Sequence, residues 1–563
     1  MEIFCDFDGT ITTEDLLDII ILKHYGKEKK DKFDTDIKEG IIEHNKQLEL
    51  IFNDMNYNLD EMISIIDNEL TEVIDPYFKL FYDKCNINNI NLYIISGGIK
   101  KIITHYLSYF NKENIYANDI DFSTFLNKFL PLSKTLNKSS IIKKVRSKNK
   151  KIIYVGDGLS DFDVIKYVDI LYVKKNSILE EHCNNKNVSF KTFENFSDLL
   201  SIFNVQSNLK LLSPGIVRGH PLVLNELKFQ HTFMHRDLNF KKLYNNIDIQ
   251  LKNIVCTEPE KYVSLIVTGS GTTSMDVVIN CIVNHGKTLF ISNGLFGERW
   301  INIGNFYNSN NVYIIKNDWG KPFNITNIIN FINDKDIKYL VMVHCDTSIG
   351  ILNPIKEIGN KLKQTKCQLI VDTVSSFGVV PINMENDNIS ILITNPNKSI
   401  SSYMGIGIII GKNDILENFT ESKCGSYSLN LKRNYLMALR QETCNSVSIS
   451  SLNALNASLY LYYKDTIKIN EMYKKYNFIF NYFYNKIIEL KQKPLLEKNL
   501  SCPAIITILK ENSNQFIEIL KENNFVVYPC KGYLNNKGYQ VSFYGYDTNI
   551  KNINQLLDLI KSN

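Results

Sequence analysis

Two aspartates stand close together, directly after the first apolar segment of the chain. Residues 3–5 have the composition of a buried strand, and Asp6, Asp8 and Gly9 follow them. Alternate residues of a strand point the same way, so the two carboxylates can meet one substrate phosphate before the chain bends at Gly9. One carboxylate can attack phosphorus while the other protonates the leaving oxygen. Two carboxylates beside a phosphate also require positive charge, so the pair predicts Mg²⁺ and a lysine nearby.

Groups suited to a phosphate and a metal ion follow two later apolar segments. Ser96 and Gly97 offer a hydroxyl and backbone N–H groups to a phosphate. Asp157 and Asp161 offer two further carboxylates to a metal ion. An Asp-x-Asp-Gly sequence by itself is most simply a turn after a strand. The motifs taken together, in this order, instead favour a site that handles phosphoryl groups.

These motifs, spread over residues 1 to about 200, resemble those of the haloacid dehalogenase superfamily. The resemblance implies an α/β Rossmannoid domain over residues 1–203, with a helical cap over about 15–85. It makes Asp6 the nucleophile and Asp8 the general acid/base, with Ser96 and Gly97 on the phosphate. It also implies a phosphate-binding lysine, for which Lys138 is the better match and Lys134 the alternative. The metal ligands that it implies for Mg²⁺ are Asp6, Asp8, Asp157 and Asp161.

A turn rich in glycine, serine and threonine is a candidate anion site in the second half of the chain. Ser270, Gly271 and Thr272 follow the apolar residues 265–267 and precede a helical pattern over residues 275–282. Backbone N–H groups at a helix N-terminus, helped by hydroxyls, bind phosphate. By itself such a turn is equally typical of an ordinary capped helix.

An aspartate and a lysine follow later strand patterns. Asp372 comes directly after residues 369–371, and Lys398 follows the pattern at residues 389–394. A phosphate turn, then an aspartate, then a lysine is the order that pyridoxal phosphate enzymes need. The lysine binds the aldehyde of the cofactor, and the carboxylate keeps the pyridine nitrogen protonated. The simpler interpretation of Lys398 is a solvated lysine at a strand end.

Local sequences between about 210 and 563 resemble class V aminotransferases, and most closely the branch of 2-aminoethylphosphonate–pyruvate transaminases. The resemblance implies a fold-type-I domain over residues 210–563, with a large α/β part and a small α+β part from about residue 455. It also implies a homodimer. The stretches that carry it are Leu211-Leu212-Ser213-Pro214-Gly215, His235-Arg236-Asp237, residues 293–299 and residues 343–350.

The same resemblance assigns roles around pyridoxal phosphate. Lys398 would carry the cofactor, and Asp372 would lie at the pyridine nitrogen. Phe296 would stack on the ring, since an aromatic face suits a flat heterocycle, although a simple core aromatic is the alternative. Thr347 would approach the phenolic oxygen of the ring. The residues implied around the cofactor phosphate are Ser270, Gly271 and Thr272.

Two positions depart from the family pattern. Asp346 stands where the family has glutamate, and Gln540 stands where the family has an arginine that clamps a carboxylate bidentately. An amide brings no charge, so Gln540 predicts weak binding of 2-oxo acids. The alternatives are an unusual amino acceptor, substitution by Arg433 or Arg440, or a different alignment.

The composition excludes several classes of protein. Lys and Arg total 64 against 60 for Asp and Glu, a net charge of +4 that predicts no nucleic-acid or membrane partner. No apolar run reaches the ~18 to 20 residues of a membrane span. The sequence shows no secretory signal, and its 11 cysteines have no regular spacing. We therefore expect a cytoplasmic protein.

The presence of both sets of motifs in one chain favours a bifunctional enzyme that acts on small molecules. We expect a pyridoxal phosphate transaminase of 2-aminoethylphosphonate, with pyruvate as acceptor, and a Mg²⁺-dependent phosphatase that acts on a phosphate ester. One alternative is a pair acting on a phospho-amino acid such as phosphoserine, and another is that one half is catalytically silent. Cleavage of a C–P bond by the first half is less favoured, because Asp8 stands where phosphonoacetaldehyde hydrolases have alanine.

Overall fold

The chain divides into two compact units, Met1–Ser207 and Asn208–Asn563. The computed structural model describes residues 1–562 apart from residues 40, 43, 56, 123–127, 132–137, 148–149, 205–208, 216, 229–233 and 235. Lys134 and His235 therefore lie outside the described residues. No helix in the described part of the chain is both long and apolar enough to cross a bilayer.

A seven-stranded sheet forms the centre of the first unit. Its order is β4-β3-β2-β1-β5-β6-β7, and all neighbours are parallel except the antiparallel pair β3 and β4. The central strand β1 is buried throughout, as its apolar sequence predicts. The strands are β1 Glu2–Cys5, β2 Asn91–Ile99, β3 Ile115–Asp121, β4 Lys128–Leu130, β5 Ile152–Gly156, β6 Ile170–Lys174 and β7 Lys191–Phe193.

Five helices lie between β1 and β2, which confirms the predicted helical cap. Asp15 caps the first of them by accepting hydrogen bonds from the backbone N–H groups of Leu17 and Asp18. The α-helices of this unit are α1 Leu16–Tyr25, α2 Lys27–Lys38, α3 His44–Asp54, α4 Leu59–Glu69, α5 Phe78–Ile87, α6 Lys100–Tyr106, α7 Lys138–Val145, α8 Ile178–Asn185 and α9 Phe196–Leu199. Its 3₁₀ helices are Lys112–Asn114, Leu159–Tyr167 and Leu200–Asn204.

The second unit contains a larger seven-stranded sheet, of order β11-β10-β12-β15-β16-β17-β9. Strand β17 runs antiparallel to both of its neighbours, and the remaining pairs are parallel. The apolar segments around residues 265, 370 and 390 form buried strands here, as predicted. The strands are β9 Tyr262–Gly269, β10 Thr288–Ser292, β11 Val312–Lys316, β12 Tyr339–Val343, β15 Gln368–Asp372, β16 Ile389–Thr394 and β17 Gly405–Lys412, with the hairpin β13 Cys345–Asp346 and β14 Ile351–Leu352 beside them.

A smaller antiparallel sheet lies near the end of the second unit, in the order β18-β19-β22-β21. A separate parallel pair joins the start of this unit, β8 Lys210–Leu211, to β20 Phe525–Val526 near its end. The strands of the smaller sheet are β18 Lys493–Pro494, β19 Ile505–Leu509, β21 Tyr528–Pro529 and β22 Gly538–Ser542. Both units are thus mixed α/β structures, as predicted.

The α-helices of the second unit are α10 Pro221–Glu226, α11 Leu238–Val255, α12 Gly271–His285, α13 Leu295–Asn308, α14 Ile325–Lys335, α15 Ile355–Leu362, α16 Asn413–Glu417, α17 Leu431–Ala438, α18 Ile449–Tyr463, α19 Thr466–Glu489, α20 Ser513–Glu522 and α21 Ile550–Ser562. Its 3₁₀ helices are Pro259–Lys261, Ser309–Asn311, Glu421–Lys423, Lys498–Leu500 and Gly532–Leu534.

Candidate active sites

Three neighbouring strands of the first unit bring its predicted site residues to one edge of the sheet. Strand β1 pairs with β2 on one side and with β5 on the other, all parallel. Asp6 follows β1, Ser96 lies inside β2 and Asp157 follows β5. The carboxyl edge of a parallel sheet is where α/β folds bind ligands, so this edge is a candidate active site.

Lys138 lies between two carboxylates at this edge. Its amine is 2.9 Å from Asp6 Oδ2 and 2.6 Å from Asp161 Oδ1, and the side chain is only 1% exposed. Burial alone lowers the pKa of this amine, but Asp161 and Asp6 outweigh it and raise the pKa above its usual value. Lys138 is therefore held as a cation against the predicted nucleophile.

Carboxylate oxygens of Asp6, Asp157 and Asp161 all lie within 4.8 Å of one another. Burial raises the pKa of Asp6 well above its ordinary value, and the nearby Asp161 raises it further. Burial likewise raises the pKa of Asp157 to about 6. Buried carboxylates this close repel one another unless a cation neutralises them, and oxygen donors are what Mg²⁺ prefers. The donor set fits a divalent ion.

Asp8 does not belong to this group of three carboxylates. Its Oδ2 accepts a hydrogen bond of 3.0 Å from the Ser96 hydroxyl, and its Oδ1 accepts one of 3.4 Å from Leu16 N–H. Burial raises the pKa of Asp8 to about 6, against the lowering effect of the Ser96 bond. A carboxyl group that titrates near neutrality suits the predicted role as acid/base better than that of a metal ligand.

The Ser96 segment differs from the prediction in one respect. The apolar residues 92–95 predict a strand that ends before Ser96, but β2 continues to Ile99. Asn118 on β3 holds the segment by donating to the Gly97 carbonyl oxygen at 2.7 Å, and Gly98 N–H donates to Ser96 Oγ at 2.8 Å. A Cβ atom on Gly98 would lie 2.4 Å from Asp8 Oδ2, so only glycine fits beside that carboxylate.

Sequence reasoning missed three residues that hold this site together. The Tyr154 hydroxyl donates to Asp161 Oδ1 at 2.6 Å, and the Thr10 hydroxyl donates to Asp157 Oδ1 at 2.5 Å. The Lys174 amine donates to the Gly9 carbonyl oxygen at 2.6 Å. Thr10 stands inside the first motif and could have been found there. Tyr154 resembles any core aromatic, and Lys174 lies far along the chain.

Several of the predicted residues line a pocket of about 270 Å³ in the second unit. Phe296, Thr347 and Lys398 line it, together with Gln540. The predicted phosphate turn does not line the pocket but contacts it, because Arg299, a lining residue, donates to Thr272 Oγ1 at 3.1 Å. The further lining residues are Pro214, Gly215, Leu295, Ser348, Tyr528, Pro529 and Lys531.

Lys398 lies in the loop after β16, beside an aromatic ring. Its amine is 5.3 Å from the centroid of the Phe296 ring and donates to the Ser375 hydroxyl at 3.1 Å. Burial lowers the pKa of this amine, although the attraction of Asp372 works in the opposite direction. A lysine with a lowered pKa is a better nucleophile near neutral pH.

Asp372, at the end of β15, is buried and held by two donors. Val374 N–H donates to Oδ1 at 2.9 Å, and the Trp300 indole N–H donates to Oδ2 at 3.1 Å. Burial raises the pKa of the carboxyl group, and the two hydrogen bonds oppose this effect. Trp300 was not singled out from the sequence. Its position one helical turn after Phe296 on α13 is the signal that could have found it.

The predicted phosphate turn is a capped helix start. Ser270 is the N-cap of α12, and its side chain exchanges hydrogen bonds with Thr273 in a capping box. A Cβ atom on Gly271 would lie 3.1 Å from Val374 Cγ2 and 3.3 Å from Asn395 Nδ2. The first turn of α12 therefore lies close to the loop after Asp372. The arrangement suits an anion at the helix N-terminus next to the pocket.

The structure gives both departures from the family pattern a local role. Asp346 is fully buried, and its Oδ2 accepts hydrogen bonds from Phe296 N–H at 3.0 Å and Gly297 N–H at 3.1 Å. It thereby fixes the helix start that carries Phe296. Gln540 Nε2 donates to the Thr347 carbonyl oxygen at 2.7 Å and to Thr507 Oγ1 at 3.0 Å.

Neither arginine suggested as a substitute for the missing one reaches the pocket. Arg433 lies over the ring of Tyr427, 3.9 Å from its centroid, and Arg440 is exposed. Among the described residues that line the pocket, Arg299 is the arginine. The suggestion that Arg433 or Arg440 replaces the carboxylate clamp therefore stays a prediction, one that the lining of the pocket within one chain does not support.

Comparison with known proteins finds two family models that match separate parts of the chain. The family model of aminotransferase class-V matches residues 228–527, and that of haloacid dehalogenase-like hydrolases matches residues 3–166. A bifunctional phosphonoacetaldehyde hydrolase/aminoethylphosphonate transaminase of Clostridioides difficile (strain 630) is 30% identical over 307 residues, 52% of this chain and 47% of that protein. The match thus spans about half the length of that relative.

Two further relatives cover most of their own length. A 2-aminoethylphosphonate–pyruvate transaminase of Bacillus cereus (strain AH187) is 26% identical over 338 residues, 58% of this chain and 90% of the relative. The crystal structure of an alanine–glyoxylate aminotransferase from Nostoc sp. superposes with a TM-score of 0.58 at 21% identity, covering 67% of this chain and 98% of that one. The structural likeness shows the fold. With more than half of its residues matched, the chain belongs to the aminotransferase class-V family, and its first unit carries a haloacid dehalogenase-like domain.

Proposed function

We propose that the chain is a bifunctional enzyme, a pyridoxal phosphate-dependent transaminase joined to a Mg²⁺-dependent phosphatase. The observation that carries the transaminase is the pocket of the second unit. It brings a lysine of lowered pKa, Lys398, next to the Phe296 ring, and the buried Asp372 exerts an attraction on the same amine. A lysine, an aromatic face and a carboxylate are the groups that such a cofactor requires.

The residues of the second unit suit this cofactor well. Pyridoxal phosphate, when bound, supplies an aldehyde for the amino group and a ring that accepts electrons. Lys398 would hold it covalently and then move a proton at the substrate carbon. Asp372, fixed by Trp300, would keep a proton on the ring nitrogen. The helix start at Ser270 would hold the phosphate, and Phe296 would fix the plane of the ring.

For the substrate, we propose 2-aminoethylphosphonate as amino donor and pyruvate as acceptor. The names of both curated relatives contain aminoethylphosphonate, and the name of the Bacillus cereus relative also contains pyruvate. Gln540 offers no donor to a carboxylate, which counts against phosphoserine as the donor and also predicts that pyruvate is bound weakly. Both N–H groups of the Gln540 amide are already used by Thr347 and Thr507.

The test of the transaminase is an absorbance titration of the cofactor-loaded protein with 2-aminoethylphosphonate. We expect the spectrum of the bound cofactor to change from the aldehyde form to the amine form, and pyruvate to restore it. Lys398→Ala should abolish both changes, whereas Lys363→Ala, an exposed lysine at the end of α15, should behave like wild type. An unchanged wild-type spectrum would refute the proposed donor.

For the first unit, we propose hydrolysis of a phosphate monoester. Asp6 would attack phosphorus, and Asp8, with its pKa raised to about 6, would protonate the leaving oxygen. Lys138 would neutralise charge on the phosphoryl group, and Ser96 would bind one of its oxygens. Mg²⁺, held by Asp6, Asp157 and Asp161, would supply further positive charge.

A panel of phosphate monoesters, with phosphonoacetaldehyde as contrast, tests this second activity. We expect phosphate release from an ester, complete loss in Asp6→Asn and loss on chelation of Mg²⁺. Asp31→Asn, an exposed site on α2, should leave the rate unchanged. Release of acetaldehyde from phosphonoacetaldehyde would overturn the proposal in favour of C–P cleavage. Inactivity towards the whole panel would instead indicate a catalytically silent unit.

We further propose that the enzyme acts in the cytoplasm as a homodimer. The resemblance to class V aminotransferases supports the dimer, and the 11 cysteines, all present as free thiols, support a reducing compartment. Light scattering coupled to size-exclusion chromatography measures the oligomeric state. A monomer that retains full transaminase activity would contradict the dimer.

A further inference from the structure

Two cysteines of the second unit are in contact, although they are far apart in the sequence. The Sγ atoms of Cys281, on α12, and Cys424, in the segment before α17, lie 2.8 Å apart, and both residues are free thiols. A disulfide bond is about 2.05 Å long, so the two sulfurs need to approach by only about 0.8 Å to be bonded. Neither cysteine lines the pocket around Lys398, so the proposed transaminase reaction does not use them.

His285, the last residue of α12, holds the segment that carries Cys424 against this helix. Its Nδ1 lies 2.8 Å from the Cys281 carbonyl oxygen, and because a carbonyl oxygen only accepts, Nδ1 carries the proton. Its Nε2 accepts a hydrogen bond of 2.9 Å from Thr420 N–H. Burial lowers the pKa of His285, which keeps the ring neutral and preserves both hydrogen bonds. The docking of this segment therefore fixes the contact between the two sulfurs.

The two thiols have unequal surroundings. Cys281 is fully buried, and burial raises the pKa of its thiol. Cys424 is half-buried, and its contact with Cys281 lowers its pKa, as do the backbone N–H groups of Lys432 and Leu431 at the start of α17, although burial opposes them. Cys444 is half-buried too, but burial raises its pKa. An accessible thiol of low pKa beside a second thiol is typical of redox-sensitive cysteines.

We infer that Cys281 and Cys424 are an oxidisable pair that closes to a disulfide when the protein meets a hydroperoxide such as hydrogen peroxide. The Cys424 thiolate attacks one peroxide oxygen, the O–O bond breaks, and the departing hydroxide takes a proton and leaves as water, so that Cys424 becomes a sulfenic acid. The sulfur of Cys281 then attacks the sulfur of Cys424, and its proton leaves with the sulfenic hydroxyl as a second water. Two thiols thus give two electrons to one peroxide, and a thiol reductant reverses the reaction.

The bond would join α12, whose first turn carries the proposed phosphate site, to the segment before α17. It would close a loop of the chain that contains Asp372 and Lys398. A closed loop leaves the unfolded chain fewer conformations, so we expect the oxidised protein to unfold at a higher temperature than the reduced protein. This inference goes beyond the proposed function and does not depend on it.

Thiol counting and peptide mapping of the full, cofactor-loaded chain test the inference. We expect a small molar excess of hydrogen peroxide to remove two of the 11 thiols and to yield a linked peptide of Cys281 and Cys424 in the mass spectrum. The unfolding midpoint should rise by a few degrees, and dithiothreitol should reverse all of these changes. Cys424→Ser should keep its remaining thiols and its midpoint. Cys444→Ser, which changes another half-buried thiol, is the matched control and should still lose two thiols.

A wild-type protein that keeps all its thiols under this treatment would overturn the inference. A disulfide mapped instead to Cys345 and Cys502 would also overturn it, since these two cysteines interact with each other but are both buried. An unchanged midpoint in the linked protein would contradict the stabilising effect of the bond. All three results come from the wild type, so they stand even where Cys424→Ser fails to fold.

Discussion

The two units each bury a lysine at the carboxyl edge of a parallel sheet, and the pKa values of the two lysines are shifted in opposite directions. Lys138 contacts two carboxylates, and its pKa is raised. Lys398 contacts a neutral hydroxyl, Ser375, and its pKa is lowered. Burial acts against the charged form in both cases, so the neighbouring groups decide the outcome.

This difference separates two uses of one residue type. A lysine paired with carboxylates stays charged and can only neutralise, whereas a lysine without an ion pair can lose its proton and act as nucleophile or base. The first unit therefore uses its lysine as an electrostatic group beside the nucleophilic aspartate. The second unit uses its lysine as the reacting group itself.

Replacement of lysine by arginine tests this difference, and we expect its largest effect at Lys398. Arginine keeps the charge but does not lose a proton in proteins, so it cannot carry the cofactor. We expect Lys398→Arg to lower the transamination rate by roughly a thousandfold or more. Stopped-flow absorbance of the loaded protein measures the effect. A rate within tenfold of wild type would show that charge, not nucleophilicity, is what this position requires.

At Lys138 the same replacement should be tolerated better. Lys138→Met removes the cation between Asp6 and Asp161, so we expect phosphatase kcat to fall by about a hundredfold. Lys138→Arg restores the charge and should recover part of that loss. The unfolding midpoint of each variant controls for the buried site. Equal activity of the Met and Arg variants would mean that the charge contributes nothing.

The pH dependence of the phosphatase reports Asp8. A general acid must be protonated to act, and the pKa of Asp8 is raised to about 6. The protonated fraction is half at the pKa and falls above it, so kcat should drop by about fiftyfold between pH 6 and pH 8. Asp8→Asn should give a low rate that is flat with pH. A rate that rises through this range would indicate a base instead.

The smallest expected effect belongs to Trp300. Trp300→Phe keeps an aromatic ring in the core but removes the hydrogen bond to Asp372. Loss of one hydrogen bond to a charged group should weaken cofactor binding by about tenfold or somewhat more. Equilibrium dialysis of the cofactor measures it, with Trp319→Phe, whose indole bonds to Glu298, as the matched control. Identical affinities in the two variants would contradict a positioning role.

The sequence predicts the strand ends better than the contacts between them. Asp6, Asp157 and Asp372 each follow a short apolar segment, and such segments form buried strands whatever their partners are. The extension of β2 to Ile99 was missed, because paired glycines suggest a turn. In the fold, pairing with β3 keeps that segment extended, an effect that local sequence does not contain.

Contacts between distant segments explain the rest of what was missed. The Gln540 network needs the register that places Thr507 opposite it on β19, and also the Thr347 loop from another part of the unit. Trp300 reaches Asp372 only because α13 packs on β10 and β12, and β12 is the neighbour of β15 in the sheet. Neither choice of partner follows from residue type or spacing. The resemblance to known families supplied the candidate residues, and the fold supplies their partners.

The pairing of β8 with β20 has a consequence for the order in which the chain folds during synthesis. All the described strands of the first unit are made before residue 208, so that unit can leave the ribosome and complete its sheet while the second unit is still being made. The second unit cannot, because Leu211 pairs with Val526 and its N–H bonds to Asp547. Strand β8 therefore stays unpaired until residues close to the C-terminal end of the sequence have been made. A chain whose synthesis stops shortly before residue 526 therefore carries a folded first unit and a second unit in which β8 is unpaired.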